Sequence, residues 1–281
     1  MTKAAVFAHF DKNNIIQEYV IYYLKELKKI TDTIIFVSDC DLPNNEIEKI
    51  KPFVKEAIAH RHGEYDFGSY KRGFKYLEEN NLLNDKDELI FANDSCLGPL
   101  YSLETVWSAM RQKECDFWGM NFYPYNNNKP HVQSFFLVFK PQIFNSEVFR
   151  EFIYSIKHEE FKDDIIQKYE VGLSQLLLAQ GFKMDSYVDY AIGKKVAQEQ
   201  IFSKVLLPLI KTSSVKGLKS FILNFIMRKY PDYPKNLIFD YVQKNPEKSS
   251  FKQSYDILRR FLLRIHLKDR KVFFCGHWYS F

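Results

Sequence analysis

The chain has 281 residues, of which 46% are hydrophobic and 27% charged, a composition that excludes disorder and fits an ordinary globular protein. That length allows one large α/β domain with an appendage and is too short for two full domains. The net charge of +5 hides a division: residues 190–281 carry 18 Lys and Arg against 6 Asp and Glu, and the residues before them carry 22 against 29.

In chain order, Lys3 to His9 reads as a buried strand and Asn14 to Lys29 as a helix with Ile15, Tyr19, Tyr22 and Leu27 on one stripe. Thr33 to Val37 is a second strand, Pro43 to Lys51 a short helix and Val54 to Ala59 a third strand. A helix over Ser69 to Glu79 and a strand over Glu88 to Ala92 follow. This alternation predicts a parallel sheet with helices on both faces. Helix Leu103 to Gln112 precedes strands Asp116 to Asn121 and Val132 to Phe139, which flank an Asn-rich loop placed as an acceptor-side segment. Beyond Pro141 the pattern is mainly helical: Ser146 to Lys157, Lys162 to Gln180, Gly217 to Arg228, Lys235 to Lys244 and Phe251 to Leu267, interrupted by a strand over Phe182 to Val188.

The expected organisation is a catalytic domain over residues 1–190 and a basic, mainly helical extension over 191–281 packed on it. No apolar stretch approaches the roughly 20 residues of a spanning helix. The opening residues reach His9 and Asp11 before an apolar run becomes a secretory signal, and the four cysteines are scattered without a C-x-x-C pair. A cytoplasmic location is therefore expected. The basic tail suits anionic lipid or phosphorylated substrates, or is a solvated Lys-rich face. Nucleic acid is not an expected partner, because no RNP-type motif or zinc finger accompanies the charge. The stripe of Leu218, Phe221, Ile222, Phe225 and Ile226 either packs on the core or rests on the inner face of the cytoplasmic membrane.

In an open α/β sheet, ligands bind beyond the carboxyl ends of the strands. Here those positions are His9-Phe10-Asp11, Ser38-Asp39, the run from His60 to Gly68, and Asn93-Asp94-Ser95. The glycine fingerprints of dinucleotide and P-loop sites are absent, as are G-x-S-x-G and H-E-x-x-H. What remains suits sugar transfer, which needs the leaving diphosphate stabilised and an acceptor hydroxyl deprotonated. Asp94, beside Asn93, is the candidate to hold Mn²⁺ or Mg²⁺ with a diphosphate, and Arg61, Lys71 and Arg72 are candidate diphosphate partners.

Five blocks in order carry a resemblance: His9-Phe10-Asp11, Glu64 to Gly73, Asn93 to Leu100, His131 to Phe139, and Tyr169 to Ser174. Together they resemble the rhamnan synthesis protein F family, with Pro208 to Lys211 as a further similar segment. The resemblance implies a GT-A-like, Rossmann-type mixed sheet flanked by helices, and transfer from a nucleotide sugar to O-antigen, capsule or cell-wall polysaccharide. The first donor it implies is dTDP-rhamnose, with galactosyl or galactofuranosyl transfer and a non-catalytic scaffold subunit as alternatives. It places Asp66, Gly68, Lys71, Asn93, Asp94 and Ser95 on the donor, which His9 and Asp39 join as strand-end residues, and His131 and Ser134 near the acceptor or sugar. Glu170 is then the general base of an inverting displacement. Asn93-Asp94-Ser95 stands where GT-A enzymes usually carry Asp-x-Asp, so a metal here has one carboxylate instead of two.

Overall fold

The computed structural model describes residues 1–123, 129–188, 208–212 and 230–244, with two short strands at Val272–Phe274 and His277–Tyr279. The helices expected over 217–228 and 251–267, the apolar stripe from Leu218 to Ile226, and most of the Asn-rich loop lie outside the described residues. Among the described residues, no helix is long and apolar enough to cross a membrane.

The first half alternates strictly: β1 (Lys3–His9), α1 (Glu18–Lys28), β2 (Thr33–Ser38), α2 (Asn44–Ile50), β3 (Glu56–Ala59), α3 (Tyr65–Glu79) and β4 (Glu88–Asn93). A two-residue strand, β5 (Cys96–Leu97), leads to α4 (Leu103–Met110), β6 (Phe117–Tyr123), β7 (His131–Val132) and β8 (Phe136–Phe139). Then come α5 (Pro141–Phe144), α6 (Glu147–Ser155), α7 (Lys162–Ile165), a π-helical turn (Ile166–Val171) and α8 (Gly172–Ala179). β9 (Met184–Val188), β10 (Ile210–Lys211), α9 (Lys235–Lys244) and the paired strands β11 (Val272–Phe274) and β12 (His277–Tyr279) complete the described elements.

The main sheet runs β3-β2-β1-β4-β8-β6-β7, with β9 joined to β6. Strands β3, β2, β1 and β4 are parallel, β8 runs antiparallel to both β4 and β6, and β9 is parallel to β6. The fold is thus a mixed α/β sheet flanked by helices. Strands β1, β2 and β4 are buried along their whole length, as interior strands covered on both faces require. Their two-residue period sends Ala5, Phe7, Ile34, Phe36 and Ile90 into one core with α1, α4 and α9. Val6, Ile35, Val37, Leu89 and Phe91 enter the other, with α3, α6 and α8. Gly73 lets α3 lie close on β1, since a Cβ there would stand 2.3 Å from Val6 Cγ1.

Several elements differ from their sequence expectations; the helix expected over Lys162 to Gln180, for one, is interrupted by the π-helical turn. Helix α1 starts at Glu18, not Asn14, because Asp11 ties the intervening turn by accepting from the Asn13 amide at 2.8 Å and Gln17 Nε2 at 2.7 Å. Helix α3 starts at Tyr65, four residues before Ser69. The expected strand Val132 to Phe139 is two strands, broken at Gln133-Ser134-Phe135.

Candidate active site

The sheet order reverses between β1 and β4: β2 and β3 extend from one side of β1, and the chain returns to lay β4 on the other. Such a switch point leaves a crevice at the carboxyl edge, where ligands bind in open α/β folds. Here it opens between His9 and Asn93-Asp94, with Ala8 paired to Asn93 in the register. Because β8 is antiparallel to β4, its amino end reaches the same edge and brings Ser134 there. β6 runs with β4, so its carboxyl end, paired to His131 on β7, lies there too.

Asp94 faces this crevice from the end of β4. Its Oδ2 accepts from the Phe10 amide at 2.9 Å and lies 3.9 Å from His9 Nε2. Burial, joined by the Asp11 and Asp66 carboxylates, raises its pKa to about 7, with the Phe10 amide pulling the other way. His9 does not compensate that charge: burial lowers its pKa to about 4, and its Nδ1 is engaged with Ser38 Oγ at 2.9 Å. Among the described residues no group of three or more His, Cys, Asp or Glu side chains is arranged to hold a metal. A hard cation that keeps waters and shares substrate phosphates needs only one or two protein carboxylates. An under-compensated Asp94 fits that requirement. Asn93 is already committed, its Oδ1 accepting from the Ser95 amide and hydroxyl and its Nδ2 donating to Asp66 Oδ2 at 3.1 Å.

On the other side of Asn93, Asp66, Ser134 and Glu170 form one chain. Ser134 donates its backbone amide and its hydroxyl to Glu170 Oε2, both at 2.7 Å, and its Oγ lies 3.1 Å from Asp66 Oδ2. Glu170 Oε1 stays clear of these bonds, 3.8 Å from His131 Nε2. His131 Nδ1 contacts the Lys129 carbonyl at 3.1 Å. The π-helical turn Ile166–Val171 carries Glu170 between α7 and α8, a feature frequent at functional sites.

The remaining expected donor residues form a separate, structural cluster. Asp39 Oδ1 accepts from the amides of His62 and Gly63, both at 2.7 Å, and so shapes the loop that launches α3. Gly68 packs against that start, where a Cβ would meet Glu64 Cβ at 2.2 Å. Lys71 and Arg72 are not presented to a diphosphate: Glu64 Oε2 binds Lys71 Nζ at 2.7 Å and Arg72 Nη1 at 2.8 Å, and Lys71 also donates to the Ile156 carbonyl. Although burial opposes it, this double pairing brings Glu64 to a pKa of about 2. Arg61 lies over the exposed Phe10 ring, 5.0 Å from its centroid, so it remains at the crevice rim. Sequence reasoning missed Glu64 as the clamp of two cations and Asp11 as a charge bearing on Asp94. Asp11 has no local signal, since it acts on a residue brought near by folding, whereas Glu64 stands two helical turns before Lys71 and Arg72, a spacing the sequence does show.

The segment Pro208–Thr212 returns to this edge. Ile210 and Lys211 pair antiparallel with Leu97 and Cys96, and the Thr212 amide donates to the Ser95 carbonyl at 2.8 Å. The sequence after residue 190 therefore contributes backbone beside Asn93-Asp94-Ser95.

With this geometry in place, the family model described as rhamnan synthesis protein F matches residues 34–272, which spans the site residues above except His9, Phe10 and Asp11. The chain belongs to the rhamnan synthesis protein F family. It is also 25% identical over 199 residues to virulence protein VirA of Vibrio anguillarum, the match covering 65% of this chain and 62% of that protein. The chain thus spans less than two thirds of that relative's length. Among solved structures, it is similar to glycosyltransferase GlyE of Streptococcus pneumoniae, with 13% identity, a TM-score of 0.42, and coverage of 88% of this chain and 66% of that one. It is similar also to core-mannan synthase A of Aspergillus fumigatus, with 10% identity, a TM-score of 0.36, and coverage of 62% and 69%.

Proposed function

We propose that this member of the rhamnan synthesis protein F family is a glycosyltransferase that moves a sugar from a nucleotide donor to a growing cell-surface polysaccharide, with inversion and with Glu170 as general base. The observation that carries the reading is the Glu170 carboxylate, held by Ser134 through one oxygen with the other 3.8 Å from His131 Nε2, on the same sheet edge as Asp94. In the step, the acceptor hydroxyl gives its proton to Glu170 Oε1 as its oxygen attacks the anomeric carbon. The bond from that carbon to the nucleoside diphosphate breaks, and the diphosphate leaves with the electron pair.

Asp94 is the residue that would hold Mn²⁺ or Mg²⁺, which when bound neutralises charge on the leaving diphosphate. His9, Ser95 and the exposed Phe10–Arg61 pair border the donor crevice, while Asp39, Asp66, Gly68 and Asn93 shape it. His131 and Ser134 stand on the acceptor side. The first donor is dTDP-rhamnose, with UDP-galactose and UDP-galactofuranose as the competing donors. Residues 1–190 form the catalytic unit with the basic extension packed on it, and the charge of that extension suits an anionic, cytoplasmic membrane surface where a lipid-linked acceptor is presented.

The test is transfer to a glycan acceptor from each nucleotide sugar, with the linkage read by NMR. Release of nucleoside diphosphate with an inverted anomeric centre supports the reading. A retained configuration overturns Glu170 as base, and no transfer from any donor moves the chain to a scaffold role.

A further inference from the structure

The Ser134 hydroxyl has one proton and sits within hydrogen-bond distance of two carboxylates, Glu170 Oε2 at 2.7 Å and Asp66 Oδ2 at 3.1 Å. Glu170 has the shorter contact, and the Ser134 amide reinforces it on the same oxygen. The hydroxyl proton therefore belongs to Glu170, which leaves the Ser134–Asp66 contact without a hydrogen unless Asp66 supplies it. The Asn93 amide cannot fill that gap: its oxygen is fixed by two donations from Ser95, so its nitrogen points at Asp66 as a donor to the same Oδ2. No lysine or arginine among the described residues is bonded to either carboxylate.

We infer that Asp66 is held as a neutral carboxylic acid that donates to Ser134 Oγ, so that Ser134 turns its own proton onto Glu170 and keeps the base aimed. This inference rests on the role proposed for Glu170 and deepens it. Asp66 and Ser134 are positioning residues, since neither meets the acceptor proton. Two carboxylates bridged by one hydroxyl cannot both be charged cheaply in a buried site, and the one that loses the hydroxyl proton takes up its own, although the Phe67 amide at 3.1 Å and Asn93 Nδ2 also donate to Asp66 and pull the other way. Burial and the nearby Glu170 both push Asp66 toward the protonated form. The other titratable groups around the pair are Tyr70 further along α3, Asp94 at the end of β4, and His131 facing Glu170 from β7. Asp94 is bonded away from this chain, to Phe10.

Infrared spectra of the full chain read the proton directly. At pH 7, the wild type minus Asp66→Asn difference is expected to show a carboxylic acid carbonyl band. In Glu170→Gln that band is expected to titrate away at lower pH, because the repelling charge is gone. A difference spectrum without an acid carbonyl, or a midpoint unmoved by Glu170→Gln, overturns the inference. Should Asp66→Asn fail to fold, the Glu170→Gln titration is read in an Asp94→Asn background, which removes the other raised carboxyl, and an acid carbonyl band that does not move there overturns the inference. In transfer assays, wild type is expected to lose kcat on the alkaline side as Asp66 ionises and competes for the Ser134 proton, and Asp66→Asn is expected to lack that limb. A chain that shows the infrared signature and no transfer with any donor contradicts the proposed function and leaves the shared proton standing.

Discussion

Ser134 gives both of its donors to a single oxygen of Glu170, the amide and the hydroxyl each at 2.7 Å. A carboxylate gripped in this way cannot rotate, so its other oxygen is pre-aimed before substrate arrives. Replacing Glu170 with Gln keeps the size and can still accept from Ser134, but it removes the proton acceptor. The expected result is a fall in kcat on the order of 10²–10⁴-fold with donor KM nearly unchanged, read by steady-state release of nucleoside diphosphate.

Asp94 makes donor binding pH-dependent. Its pKa of about 7 means that the anion able to hold a cation forms only as pH rises through neutrality. Affinity for a nucleotide sugar with Mn²⁺ should therefore fall by up to about tenfold per unit below pH 7, measured by calorimetry. Stability runs the opposite way. A carboxyl with a raised folded pKa contributes most below its unfolded value, near 4, and that contribution is lost as pH climbs to about 7. Asp94→Asn should lack this loss and melt higher than wild type at pH 8, the two curves converging toward pH 4.

Tyr233 anchors the chain ahead of α9 against α1, its ring 5.3 Å from that of Tyr22 and its hydroxyl buried without a hydrogen-bond partner among the described residues. Tyr233→Phe should be neutral or stabilising by up to about 1 kcal/mol, since it deletes an unsatisfied group. Tyr233→Ala should cost about 3 kcal/mol through the cavity it leaves. Urea denaturation of both variants checks the contrast.

Gly73→Ala tests the close seating of α3 on β1. The new methyl would stand 2.3 Å from Val6 Cγ1, in the middle of a strand buried on both sides, where neither partner can move away. A loss of about 1–3 kcal/mol is expected despite the better helix propensity of alanine, measured as a lower melting temperature.

The fold was largely legible because β1, β2 and β4 are continuous apolar runs whose polar residues begin where the strands stop, and that pattern is local. Asn93 and Asp94 stood out for the same reason, as polar residues at a strand end, whereas Glu170, preceded by Asp163, Asp164, Gln167 and Lys168, came forward only through the family resemblance. What the chain order shows only in part is partnership. Glu64 neutralises Lys71 and Arg72, so two residues that look like phosphate ligands are held in the fold instead. The early start of α3 depends on Asp39, 26 positions before Tyr65, holding the preceding loop. The break at Ser134 is invisible to a two-residue period, because it is fixed by Glu170 and by Tyr70, whose hydroxyl donates to the Ser134 carbonyl at 2.9 Å.

The most direct measurement is a thermal-shift panel with dTDP-rhamnose, UDP-galactose, UDP-galactofuranose, UDP-glucose and GDP-mannose, each with and without Mn²⁺ or Mg²⁺, on wild type, Asp94→Ala and Glu170→Gln. One nucleotide sugar is expected to stabilise wild type and Glu170→Gln and to leave Asp94→Ala unmoved, because the donor site precedes the base. If no nucleotide sugar raises the melting temperature of wild type at millimolar concentration, on the order of the upper range of typical KM values, the crevice between β1 and β4 is not a donor site and the transferase account is contradicted.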